Sequence, residues 1–107
     1  MPDATLTQKD NGRSIELKVG GELVIDLPEN PTTGYRWSVR GPLGDLVSLK
    51  SAEFSGGAGS RIGGGGIRQF RFVARAPGKT TINLKNMRTW ESEGSAIDHF
   101  SLEVRIG

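Results

Sequence analysis

Phe100-Ser101-Leu102-Glu103-Val104-Arg105-Ile106 sets the terms of the fold, because apolar and polar residues alternate along it without a break. Period 2 places successive side chains on opposite faces of an extended chain, so this stretch makes a strand with one face buried and one wet. The same grammar recurs upstream. Phe70, Phe72 and Ala74 alternate with Gln69, Arg71 and Arg75, and Ile82 and Leu84 with Thr81, Asn83 and Lys85. Tyr35, Trp37 and Val39 stand against Arg36, Ser38 and Arg40. Ile15, Leu17 and Val19 stand against Ser14, Glu16 and Lys18, and Leu23, Ile25 and Leu27 follow Gly20-Gly21. Shorter strands are expected at Leu46 to Leu49 and Ala52 to Phe54, with an edge strand at Ala4 to Gln8. No window of about ten residues holds a helical period. Turn signals separate the runs: Asp10-Asn11-Gly12, Gly41-Pro42-Leu43-Gly44 and Ala76-Pro77-Gly78-Lys79. The expected fold is all-β, an immunoglobulin-like antiparallel β-sandwich of about seven to nine strands.

Composition narrows the function. The chain has 107 residues, a length suited to one domain (1–107) with a single core. It has no cysteine, which removes disulfides, thiolate nucleophiles and cysteine metal sites. Fourteen Lys and Arg against twelve Asp and Glu leave a net charge of +2 with the signs interspersed, short of a nucleic-acid-binding face. Arg61, Arg68, Arg71 and Arg75 form a modest positive region, expected to be mostly solvated strand face. Apolar runs reach about three residues, as at Leu23-Val24-Ile25, against the roughly 20 of a membrane span. Met1-Pro2-Asp3 opens a polar segment without the regions of a signal peptide. A cytoplasmic location is expected for the chain as it stands, or a periplasmic or secreted one if an export signal has been trimmed from the N-terminus.

Three segments break the strand grammar. In Asn30-Pro31-Thr32-Thr33-Gly34-Tyr35, Pro31 fixes its own φ and pushes Asn30 toward an extended conformation. Asn30 can bond to backbone N–H groups two residues on, and Gly34 can take a positive φ. The segment serves either as a tight turn between strands or as a rigid loop presented to a partner. Ser55 to Gly66 holds seven of the sixteen glycines and reads as a long loop within one domain. Ordering so much glycine is costly, which makes such loops uncommon unless functional. Arg88-Thr89-Trp90-Glu91-Ser92-Glu93-Gly94 carries a tryptophan that either folds over the core or stands outward as an interface anchor. In an immunoglobulin-like sandwich the three connections emerge side by side at one end.

These three segments, in this order, resemble the chagasin-type inhibitors of papain-like cysteine proteases. The likeness rests on Asn30-Pro31-Thr32-Thr33-Gly34-Tyr35, on Gly63 to Gly66 followed by Phe70, and on Arg88-Thr89-Trp90, and it spans nearly the whole chain. The resemblance implies an immunoglobulin-like inhibitor that lays three loops across the active-site cleft of a papain-like protease. It implies protease contacts from Asn30, Pro31, Thr32, Thr33, Gly34 and Tyr35, with Thr32 over the catalytic cysteine. Ile62, Gly63, Gly64, Gly65 and Gly66 would grip one side, and Arg88, Thr89 and Trp90 the other. Thr89 stands where the family usually has proline.

Other classes find less support. The single histidine, His99, lies between Asp98 and Phe100 on the face opposite the inward residues, and no nucleophile motif accompanies it, so no catalytic residue is assigned. A metal site at His99, Asp98 and Glu93 is weak, and Gly63 to Gly66 lacks the Lys-Ser/Thr ending of a phosphate loop. No metal or cofactor is therefore expected. The expected partner is a papain-like cysteine protease, with no nucleic acid or membrane, and the free chain is expected to be a monomer. The alternative is an immunoglobulin-like adhesion or assembly module using the same loop edge.

Overall fold

The structure, a computed structural model, describes residues 3–29, 34–40, 43–55, 66–88 and 96–107. Among them the chain forms eight strands: β1 (Ala4–Thr7), β2 (Ser14–Leu17), β3 (Glu22–Glu29), β4 (Tyr35–Arg40), β5 (Val47–Ser55), β6 (Gly66–Ala74), β7 (Gly78–Arg88) and β8 (Asp98–Ile106). One 3₁₀ turn, Gln8–Asp10, follows β1. The strands form two four-stranded sheets, ordered β1-β3-β6-β5 and β2-β8-β7-β4.

The core lies between the sheets and is filled by the inward phase of each alternation. Leu23, Ile25, Leu27, Phe72, Ile82, Leu84, Leu102 and Val104 are wholly inaccessible to solvent. Phe70 and Phe100 join them, and the Phe70 and Phe72 rings lie 6.2 Å apart. Each such side chain contributes roughly 1.5–3 kcal/mol by leaving water.

Three details depart from the alternation. Not every pair is antiparallel: β1 runs parallel to β3, and β2 parallel to β8. The chain reverses at every connection, so strands an even number of connections apart run the same way. Two connections separate β1 from β3 and six separate β2 from β8, whereas β3 and β6, or β4 and β7, are three apart and antiparallel. Next, the short strands expected at Leu46 to Leu49 and Ala52 to Phe54 are one strand, β5, interrupted by a register shift between Leu49 and Ser51. That bulge leaves Lys50 unpaired and resets the alternation, which makes one strand look like two. β5 is a sheet edge, where bulges discourage pairing with another chain. Finally, Val19 is 49% exposed instead of inward. β2 ends at Leu17, and the chain turns at Gly20, whose φ is +87°.

Candidate functional site

The registers bring the three irregular connections to one end of the sandwich. In the first sheet, Glu29 at the end of β3 faces Gly66 at the start of β6, and Ser55 at the end of β5 faces Ile67. In the second sheet, Tyr35 at the start of β4 faces Arg88 at the end of β7, and Asn86 faces Asp98 at the start of β8. The connections that follow Glu29, Ser55 and Arg88 therefore leave from neighbouring strand ends.

Four of the sequence-predicted site residues lie among those described. Gly34 precedes β4 with a φ of +82°, the left-handed conformation that a β-carbon opposes, as expected from its place in the turn. Tyr35 and Arg88 sit directly across from each other, and the Arg88 guanidinium stacks 4.6 Å from the centre of the Tyr35 ring. Stacking a planar cation on an aromatic face fixes its orientation. Both residues are half-buried, at the rim between core and loops. Gly66 opens β6 beside Glu29. Asn30, Pro31, Thr32, Thr33, Ile62, Gly63, Gly64, Gly65, Thr89 and Trp90 lie outside the described residues.

Beneath these loop roots is a charged pair that the sequence reading missed. Arg68 belongs to the interior, with 7% of its surface exposed, and not to the solvated face expected for it. Its Nη2 donates to Glu29 Oε2 at 2.8 Å, and its Nε lies 3.2 Å from both carboxylate oxygens. Glu29 Oε1 also accepts the backbone N–H of Trp37 at 2.7 Å. Arg71, the next inward-outward pair along, does lie on the outer face, where it binds Glu22 at 2.9 Å, and Arg75 is exposed. The signal for Arg68 was its phase, since it sits two and four residues before Phe70 and Phe72 and shares their face. Glu29 continues Leu23, Ile25 and Leu27 in the same way. His99 is exposed on β8, opposite the inward Phe100.

The described residues form a two-sheet all-β sandwich with the roots of three connections gathered at one end. Comparison with known proteins gives the family. Residues 16–104 match the model of the family described as Chagasin family peptidase inhibitor I42. The chain belongs to the chagasin family of peptidase inhibitors, and is an inhibitor and not an enzyme. It is 28% identical to chagasin of Trypanosoma cruzi over 105 residues, 94% of each chain. It is likewise 28% identical to amoebiasin-2 of Entamoeba histolytica over 103 residues, covering 94% of this chain and 83% of that one. The crystal structure of a cysteine protease inhibitor from Entamoeba histolytica superposes with a TM-score of 0.82 at 25% identity, over the full length of both chains.

Proposed function

We propose that this chain inhibits papain-like cysteine proteases reversibly, laying its three adjacent loops across the active-site cleft. The observation that carries the reading is the convergence of the three loop roots on one end of a chagasin-family sandwich. The central loop, Asn30 to Tyr35, enters the cleft with Thr32 over the catalytic cysteine. The glycine segment Ile62 to Gly66 approaches one wall, where the lack of side chains lets backbone come close. Arg88, Thr89 and Trp90 take the other.

The scaffold explains why such a loop would bind without being cut. A protease cleaves a peptide held extended through its active site, whereas here the chain turns at Gly34 in a left-handed conformation and passes at once into the β4 ladder. Cleavage before Tyr35 would leave the new chain end tied into the sheet, because Tyr35 pairs with Arg88. A loop already fixed at its roots also loses less freedom on association, which lowers the cost of binding.

Titration against papain tests the reading. Stoichiometric, reversible loss of activity is expected, with intact inhibitor recovered after prolonged incubation. A fragment cut between Asn30 and Tyr35, accumulating as activity returns, would show a slow substrate instead. No inhibition of any papain-like enzyme would favour the adhesion-module alternative.

A further inference from the structure

The inward column of β3 runs Leu23, Ile25, Leu27 and then Glu29, and that of β6 runs Arg68, Phe70 and Phe72. At the loop-bearing end the apolar core thus gives way to a buried ion pair with side-chain exposures of 9% for Arg68 and 1% for Glu29. Opposite charges taken out of water gain little net stability, and well-packed apolar residues would often serve folding as well. Such a pair has to be understood through what it connects.

It connects four strands at the points where two of the loops begin. Glu29 is the last residue of β3 before the central loop, and its carboxylate reaches across to the N–H of Trp37 in β4, where that loop ends. β4 is a sheet edge, so this N–H would otherwise lack a ladder partner. The Trp37 indole adds a second tie by donating to the Pro28 carbonyl at 2.7 Å. On the other side, Arg68 Nη1 donates to the Ala52 carbonyl of β5 at 3.2 Å, and the guanidinium lies 5.5 Å from the centre of the Phe54 ring. Ala52 and Phe54 lead directly into Ser55 and the glycine loop, which returns at Gly66, two residues before Arg68.

We propose that the Glu29–Arg68 pair is a positioning element of the inhibitor: it locks the roots of the central loop and of the glycine loop to each other, across both sheets. The fork geometry of arginine matters, because one guanidinium holds the carboxylate with two nitrogens and the β5 carbonyl with a third. Without it, the strand ends that carry the two loops would lose this tie across the sheets. The inference rests on the protease-inhibitor reading above.

The test compares the unmodified chain with E29Q/R68M and R68K, reading papain inhibition, melting, and amide hydrogen exchange of the free proteins. In E29Q/R68M the glutamine carbonyl still accepts from Trp37 and methionine fills the arginine stem, so folding should persist. The inhibition constant should rise about tenfold, a coupling typical of contacting residues. Exchange should quicken at Gly34 and Gly66 while the amides of Phe72 and Leu102 stay protected. R68K keeps the charge but cannot hold Glu29 and Ala52 together, and should show the same changes in smaller measure. Unchanged inhibition and unchanged exchange at Gly34 and Gly66 in either folded variant would overturn the proposal. If E29Q/R68M does not fold, R68K decides. An unmodified chain that leaves papain active would overturn the protease reading itself, and the exchange comparison would still decide whether the pair fixes the roots.

Discussion

Gly34→Ala separates the cost of shaping the central loop from the cost of folding. At a φ of +82° a β-carbon crowds the backbone, which raises the energy of that conformation by about 1–2 kcal/mol. The free variant can respond in two ways. It can keep the native turn, in which case the whole strain appears as lost stability and inhibition is unchanged. Or it can relax the turn, in which case melting hardly moves and the strain must be restored on binding. The bound complex needs the same φ either way, so the loss of folding stability and the loss of binding free energy should sum to about 1–2 kcal/mol. Expressed wholly in melting, that is a fall of about 4–8 °C for each kcal/mol. Expressed wholly in binding, it is a rise in inhibition constant of about 5- to 30-fold. Gly20→Ala is the control. Its φ is +87° with open space around it, and its N–H bonds the carbonyl of Ala74, at the far end of the strand that begins at Gly66. Eight steps of strand place it roughly 26 Å from the loop roots. There the strain should fall entirely on melting and leave the inhibition constant within about twofold, since distant sites act independently. Thermal melts and papain titrations on both variants check the sum. A Gly34→Ala variant that changes neither quantity would show that the turn carries no such strain, and equal rises in inhibition constant beyond about twofold in both variants would show that the loop edge is not the binding surface.

Phe72→Ala, which empties a wholly buried site in the middle of β6, should cost roughly 3–5 kcal/mol of stability in denaturant unfolding and leave the inhibition constant unchanged below the melting range. Trp90→Ala should raise the inhibition constant at least about tenfold if the ring is an interface anchor, and lower melting with inhibition intact if it covers the core. Thr89→Pro should leave inhibition unchanged or tighten it by about two- to fivefold by narrowing the unbound ensemble, and a loss beyond tenfold in a chain still folded by circular dichroism would show that this loop takes its own path. Stability should also fall in acid. The Thr7 N–H, followed by Arg13, holds the Asp10 carboxyl below its ordinary range, and Lys50, followed by Arg71, does the same for Glu22. Depressed folded values mean stabilisation that is present above the unfolded pKa near about 4 and lost as pH falls through the lower folded values. Urea midpoints should therefore drop below about pH 4, and Glu22→Gln should flatten part of that drop.

Which parts of this molecule were legible depended on how local their causes are. Alternation is local, and it placed Phe70, Phe72, Ile82, Leu84, Phe100, Leu102 and Val104 inside without reference to any partner. Turn chemistry is local too, and Gly34 adopts the positive φ that its position between Thr33 and Tyr35 asked for. The bulge at Lys50 is different, because a register shift exists only relative to β6, and from one strand it looks like a break. The directions of β1 and β2 depend on counting reversals over the whole chain, which requires every strand to be known first.

Glu29 and Arg68 show a conflict between two local signals. Their phase put both inside, in line with Leu27 and Phe70, while their charge put both outside, and the sequence reading followed charge for Arg68. Each signal is sound when its residue stands alone, since an isolated buried charge costs several kcal/mol and is almost never kept. The cost changes when two opposite charges arrive at the same level of the core, and that is a property of the β3–β6 register, in which Leu27 faces Arg68 and Glu29 faces Gly66. Once two strands are suspected neighbours, an acid in the inward phase of one therefore demands a base in the inward phase of the other. Here the demand is met at the last residue of β3 and two residues into β6, so a place where the core gives up apolar packing is also the place where the roots of two loops meet.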